Sequence, residues 1–375
     1  MPASADTTSP RRRNYGLPFA GEGQGGIGVK IGLFDHVEDG ARPVAQLYDE
    51  RIEFAAAADK AGFYCLHVAE HHATPLNLVP VPGIYLAAIA RETKRLRFGP
   101  LVYLLPLYSP LRLIEEICML DHLSHGRLDI GVGRGVSPYE LEFHNVVHDD
   151  SRDIFFEAYD CVRSGLVSET FSFKSSRYLY NDVPIALQPL QQPHPPFWYA
   201  SSSEIGSTWA GEHGLHYVTL GPTAMAKANI TAFKHALAKR GAPAQPKREF
   251  AGGVVIGVQR HIFVADTDAE AHRVFKPAMD VHLANLNWLR VWKKDTGLTS
   301  RLKIPHGTSY EEMVAHGGII AGSPQTVRAE LERQVAELGI NYLLTYLFLG
   351  TMSFKDAMRS LELFHTEVMP HVEKL

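Results

Sequence analysis

Apolar residues along the chain gather into short runs, and between the runs they recur every three or four positions. The runs Val29 to Phe34, Cys65 to Ala69, Leu96 to Leu105, Leu128 to Val132, Phe197 to Ala200, His216 to Leu220, Val254 to Val264 and Tyr342 to Phe348 are β-type in composition. They predict strands, and most lead into a helical pattern. The return junction repeats as well. Lys60-Ala61-Gly62-Phe63, Glu212-His213-Gly214-Leu215 and Glu337-Leu338-Gly339-Ile340 each end an amphipathic stretch in Gly and start an apolar run at once, as a left-handed helix C-cap followed by a strand would. Ser109-Pro110 and Ser323-Pro324 read as helix starts, an N-cap hydroxyl followed by Pro at the first helical position. From Pro324 onward Val327, Leu331, Val335 and Leu338 share one helix face. Eight strands alternating with helices predict an α/β fold, a (β/α)8 TIM barrel formed as one domain by residues 29–375 behind a flexible tail at 1–28.

Two stretches interrupt the alternation, Ser151 to Leu187 and about Ala278 to Ala315. Insertions on such a barrel usually occupy the loops at the C-terminal ends of the strands, where active sites form. The second carries Trp288, Trp292, Lys293 and Lys294 and is expected to act as a lid, the alternative being a packing excursion without a role. An open doubly wound sheet would also alternate strands and helices, but its first strand should run into a Gly-rich turn. Here Phe34 is followed by Asp35-His36-Val37-Glu38, and Gly131-Val132-Gly133-Arg134-Gly135 lacks the third spaced Gly.

Composition narrows the partners. Over 375 residues, 45% hydrophobic and 21% charged, the chain can bury a large core without disulfides or a structural metal. With 37 Lys and Arg against 41 Asp and Glu, a formal charge of −4 supplies no field for nucleic acid or an anionic membrane, so a small neutral or apolar partner is favoured. Cys65, Cys118 and Cys161 are odd in number and set among apolar residues, which reads as reduced core thiols of a cytoplasmic protein. No apolar segment follows Arg11, Arg12 and Arg13 as a secretion signal would require, and no apolar run is long enough to span a membrane.

In a parallel barrel the strand ends carry the chemistry. Arg134, flanked by glycines, and the Ser201-Ser202-Ser203 run opening a helix suit one phosphomonoester: helix N–H groups attract the anion and a guanidinium pairs with it. A serine run before a helix is also an ordinary N-cap, and a single Arg an ordinary surface residue. Glu70-His71-His72 ends the second strand run. The two histidines suit acid/base work, a packed cluster, or a metal site completed by Asp35 and His36.

Glu70-His71-His72, Leu120-Asp121-His122-Leu123-Ser124-His125-Gly126-Arg127-Leu128, Arg134-Gly135, Ser151-Arg152, Gln191-Gln192-Pro193-His194-Pro195-Pro196, Gly322-Ser323-Pro324 and Val368-Met369-Pro370 occur in an order that resembles the bacterial luciferase-like flavin-dependent monooxygenases, the luciferase alpha subunit in particular. The resemblance runs from about Lys30 to Glu373. It implies reduced FMN as cosubstrate, commonly delivered by a separate flavin reductase, and dioxygen, which together oxidise a small organic substrate through a flavin hydroperoxide. It also implies a homodimer and no catalytic metal. By the same resemblance His71 is the catalytic acid/base group with His72 as its neighbour, and Arg134, Gly135, Ser202 and Ser203 hold the flavin phosphate. Leu101-Val102 falls where the family has a non-prolyl cis peptide against the flavin ring; Leu101, Val102, Leu104 and Leu105 would wall the site, and Trp288 and Trp292 would close it.

Gly133 stands where luciferase has a reactive cysteine and Ser202 where it has a glutamate, which argues against light emission. Burial is expected to lower the His71 pKa from about 6.5. Three rivals remain open at this point: a deazaflavin-dependent oxidoreductase of the same superfamily, a non-catalytic flavin-binding subunit, and a metal-dependent hydrolase built on Asp35, His36, His71 and His72.

Overall fold

The computed structural model describes residues 28–294 and 308–375. Most of the expected tail, and residues 295–307 of the expected lid, lie outside them. The strands are β1 (Lys30–Asp35), β2 (Cys65–Val68), β3 (Arg97–Pro100), β4 (Tyr103–Leu104), β5 (Ile130–Gly133), β6 (Thr170–Lys174), β7 (Leu179–Pro184), β8 (Phe197–Ala200), β9 (His216–Thr219), β10 (Ile256–Val264), β11 (Ile319–Gly322) and β12 (Tyr342–Tyr346).

Parallel pairing runs β3-β2-β1-β12-β10-β9-β8-β5-β4, with β11 on the far half of β10. The single run expected over Leu96 to Leu105 is two strands: β3 stops at Pro100, which has no N–H to give a ladder, and β4 resumes beyond a cis peptide at Leu101-Val102. A bridge from Phe98 to Leu128 brings the first half back against the β5 segment, so the sheet closes on itself as a TIM barrel.

The helix boundaries follow local chemistry. Gly62, Gly214 and Gly339 close their helices at φ of 88°, 65° and 59°. Ser323 caps Pro324–Leu338 by accepting from the Thr326 N–H, and Val327, Leu331, Val335 and Leu338 are all buried. Ser109 differs from expectation. It precedes the helix Pro110–Leu123, but its hydroxyl caps no N–H, and the start rests on Pro110.

The first interruption is a helix, Ser151–Gly165, followed by the antiparallel pair β6 and β7. The second is less of an insertion than its sequence suggests. One helix runs from Asp268 to Trp292, ten residues before the expected start, because Thr267 caps it and Pro277 is accommodated within it. Among the described residues no helix is long and apolar enough to cross a membrane.

Inside the barrel, Leu101, Trp198, Val218, Phe250, Val255, Tyr342 and Leu344 form one packed cluster. At the N-terminal end Asp129 accepts from Arg97 at 2.7 Å and from Lys247 at 3.1 Å, which holds its carboxyl far below the usual range despite burial. Charge at that end fixes the barrel floor and leaves the opposite rim to chemistry.

Candidate active site

The C-terminal ends of β1, β2, β4, β5, β8 and β12 share one rim. Glu70, just past β2 and 2% exposed, accepts from the Leu104 N–H at 3.0 Å and the Tyr108 hydroxyl at 2.9 Å, and its other oxygen lies 2.9 Å from His72 Nε2. One buried carboxylate thus ties the histidine loop to the loop beyond the cis peptide.

His71 faces a second carboxylate. Its Nδ1 is 3.1 Å from Glu140 Oε1, and Glu140 Oε2 accepts the His72 N–H at 3.0 Å. Glu140 lies in the first turn of the helix Pro138–Phe143, which Ser137 starts by accepting the Glu140 N–H. Burial alone would lower the His71 pKa, but the charge and hydrogen bond of Glu140 raise it above its ordinary 6.5. The expectation of a lowered value is therefore corrected: His71 is partly buried beside an anion, and the anion wins. Glu140 responds in the opposite sense, its carboxyl held below the usual range by His71 despite burial.

Arg134 and the serine run are brought together by the register. Val132 of β5 pairs with Tyr199 of β8, so Arg134 and Ser201, each two residues further on, emerge side by side. Among the described residues Arg134 has no carboxylate partner, and burial and the nearby Arg152 hold its pKa below the ordinary arginine value. Ser203 caps the helix Glu204–His213 by accepting the Gly206 N–H, Ser201 accepts the Ser203 N–H at 3.1 Å, and the half-buried Ser202 hydroxyl makes no hydrogen bond among the described residues. Two guanidinium groups without an ion-pair partner among the described residues, beside a helix N-terminus, fit a phosphate dianion.

Between the histidines and this corner sits the cis peptide Leu101-Val102. Leu101 packs into the cluster inside the barrel, whereas Leu105 is fully buried in the larger core cluster. Val102 fills the space next to Gly133, where a Cβ would come within 2.3 Å of Val102 Cγ2. A side chain at position 133 therefore conflicts with a stiff β-branched neighbour. Gly133→Cys is expected to cost about 1 to 3 kcal/mol in urea unfolding, and clearly less in a Val102→Ala background. Equal costs in the two backgrounds would show that Val102 is not the obstacle.

Trp288 and Trp292 stack at 6.0 Å between centroids near the end of their helix, and both are exposed. The next residue, Lys293, lies 5.0 Å from the Phe143 ring centre and 3.2 Å from Glu142 Oε2. This helix end therefore lies against the element that carries Glu140. The four residues of the metal alternative do not converge: Asp35 holds Arg51 at 3.1 Å, His71 holds Glu140 and His72 holds Glu70. Among the described residues no group of three or more His, Cys, Asp or Glu side chains is placed to hold a metal.

A family model described as luciferase-like monooxygenase matches residues 29–342. The chain belongs to the luciferase-like monooxygenase family of flavin-dependent enzymes. This family member is 31% identical over 346 residues to an uncharacterised protein of Sinorhizobium fredii (strain NBRC 101917 / NGR234), covering 92% of this chain and 97% of that one. It is 28% identical to the oxygenase component of flavin-dependent trigonelline monooxygenase from Acinetobacter baylyi, covering 91% and 95%. Two solved structures share the fold. They are monooxygenase RslO1 from Streptomyces bottropensis, with a TM-score of 0.80 at 23% identity over 91% of this chain and 99% of that one, and the oxygenating constituent of 3,6-diketocamphane monooxygenase from Pseudomonas putida in complex with FMN, with a TM-score of 0.76 at 22% identity over 92% and 99%.

Glu140 and Tyr108 were missed by the sequence reading. The pattern Ser137-Pro138-Tyr139-Glu140, a hydroxyl three residues before a glutamate, marks a helix start and would have placed Glu140 just beyond β5. Nothing local marks Tyr108.

Proposed function

We propose that this luciferase-like enzyme uses reduced FMN and dioxygen to oxidise a small organic substrate, drawing its flavin from a separate reductase. The observation that carries the reading is the His71–Glu140 pair on the same rim as a phosphate corner built from Arg134, Arg152, Ser202, Ser203 and the helix they open. The relative whose activity is trigonelline oxygenation is itself named as an oxygenase component, which supports a two-component arrangement. When bound, FMN supplies the electrons for dioxygen activation. The chain's own groups do the rest. Arg134, Gly135, Ser202 and Ser203 hold the phosphate, Leu101 and Val102 back the ring, and Trp288 and Trp292 border the mouth. His71 donates a proton from Nε2, because Nδ1 is committed to Glu140.

Anaerobic mixing with photoreduced FMN, followed by oxygenated buffer, tests this. Bound flavin is expected to reoxidise much more slowly than free FMN. Reoxidation at the free rate, or binding of a deazaflavin in place of FMN, would overturn it. Glu140→Gln is expected to move the alkaline limb of the turnover profile down by at least about one pH unit, since burial alone depresses His71. An unmoved limb would assign that limb to another group.

The assembly is read as a homodimer. Val81 and Ile84, 49% and 75% exposed, start the helix Pro82–Glu92, and Met119 and Leu123, 55% and 38% exposed, lie on the adjacent helix Pro110–Leu123. Such a patch suits a second copy. Sedimentation is expected to give a dimer for the wild type and a monomer for Ile84→Glu; unchanged assembly in the variant would place the contact elsewhere. Three free, buried cysteines suit the reducing cytoplasm.

A further inference from the structure

At the end of β1 the ring of His36 is enclosed by four others. Phe34 meets it edge-on at 4.9 Å between centroids, His71 stacks on it at 5.5 Å with an interplanar angle of 29°, and His282 and Tyr346 lie tilted against it at 5.5 Å each. None of these contacts is a hydrogen bond. His36 Nδ1 is sealed from solvent and has no partner among the described residues; Nε2 has no partner either, but is not sealed.

Three neighbouring imidazoles are committed. His71 is held by Glu140, His72 by Glu70, and His282 Nδ1 by Glu38 at 3.1 Å. Glu38 is fully buried and has no spare capacity for His36: it also accepts from Asn285 Nδ2 at 2.9 Å, the Tyr346 hydroxyl at 3.1 Å and the Gly350 N–H at 2.7 Å. Native proteins keep few buried polar groups unpaired, and those that remain tend to have a functional partner.

The tautomer follows from the same accounting. An orphaned lone pair is tolerated better than an orphaned N–H. The sealed Nδ1 is therefore assigned as the bare nitrogen and the proton to Nε2, the unsealed nitrogen just past the C-terminal end of β1. Burial, reinforced by the charge of His71 and by His282, His261 and Arg51, keeps the ring neutral at pH 7. We propose that His36 donates its Nε2–H to an acceptor atom of the organic substrate, beside the His71 donor, so that the substrate carries an oxygen or nitrogen acceptor close to the atom oxidised. The inference rests on the barrel mouth being the oxygenation site.

It makes His36 a specificity residue. A hydrocarbon filling the mouth would take water from two N–H donors and leave them unpaired, and a site built to hydrogen-bond rejects the analogue that lacks the partner.

The test uses the full chain, labelled with ¹⁵N-histidine and loaded with FMN, with cyclohexanone and methylenecyclohexane as probes that differ in the acceptor alone. His36→Phe and His71→Ala assign the two rings. His36 is expected to be the neutral Nε2–H tautomer at pH 7. Cyclohexanone is expected to shift both ring signals and to bind at least about tenfold more tightly than the alkene. That preference should fall to within about twofold in His36→Phe and be partly kept in His36→Gln, whose amide still donates. An Nδ1–H tautomer, an unchanged preference in His36→Phe, or a His36 signal unmoved by either probe while FMN is bound would each overturn the proposal. The tautomer is read on the wild type and stands whether or not a variant folds. Loss of FMN binding, seen in the flavin spectrum, is a different failure and would count against the proposed function instead.

Discussion

His71→Ala is expected to bind FMN as the wild type does and to lose roughly 100-fold or more in coupled turnover. Monooxygenation releases one oxygen atom as water, so a proton must be delivered at the rim. On the proposed function His71 would deliver it, held through Nδ1 by Glu140 with Nε2 uncommitted among the described residues. Its raised pKa keeps it cationic beyond 6.5, so turnover should be full on the acid side of that raised value and decline as pH rises through it. Stability follows the same pair with the signs worked out separately. The His71 contribution is complete below its unfolded value of 6.5 and is lost as pH rises through the raised folded value. The Glu140 contribution is present above its unfolded value of 4.5 and is lost as pH falls through the depressed folded value. The ion pair is therefore whole only between those limits. An unchanged single-turnover product yield in His71→Ala would refute the assignment.

How far the site could be read in advance depended on whether each feature is local in the chain. Helix ends at Gly62, Gly214 and Gly339 were legible because a left-handed C-cap is written in one residue, and the strand runs because a barrel interior demands β-type residues over four or five positions. Ser109 shows where this stops: a hydroxyl before Pro predicts a cap, but whether it reaches an N–H is decided by a rotamer. The break at Leu101-Val102 was legible through family resemblance, since periodicity alone gave one continuous strand. The charge state of His71 was not legible, because it depends on Glu140, 69 residues away in the chain and brought near by barrel closure. For the same reason Glu38, which ties His282 and Asn285 of a distant helix to the end of β1, carries no signal of its own.

Arg134→Ala is expected to weaken FMN binding by about 2 to 3 kcal/mol, roughly 30- to 150-fold, while leaving the fold unchanged. The fold should be indifferent because, among the described residues, Arg134 forms no ion pair whose partner the substitution would strand. Arg152 nearby repels it, so in the absence of an anion its removal relieves the corner slightly. With a phosphate present the balance reverses. Two guanidinium groups would flank a dianion that also meets the N-terminus of Glu204–His213, and the loss of one would leave Arg152 and the helix to hold it. Two further consequences distinguish this from a general loss of affinity. Arg134→Lys should recover only part of the binding, since a point charge replaces a planar fork. Riboflavin, which lacks the phosphate, should bind wild type and Arg134→Ala alike. Titration of both proteins with reduced FMN and with riboflavin reads the result directly, and equal dissociation constants for FMN would move the phosphate away from this corner.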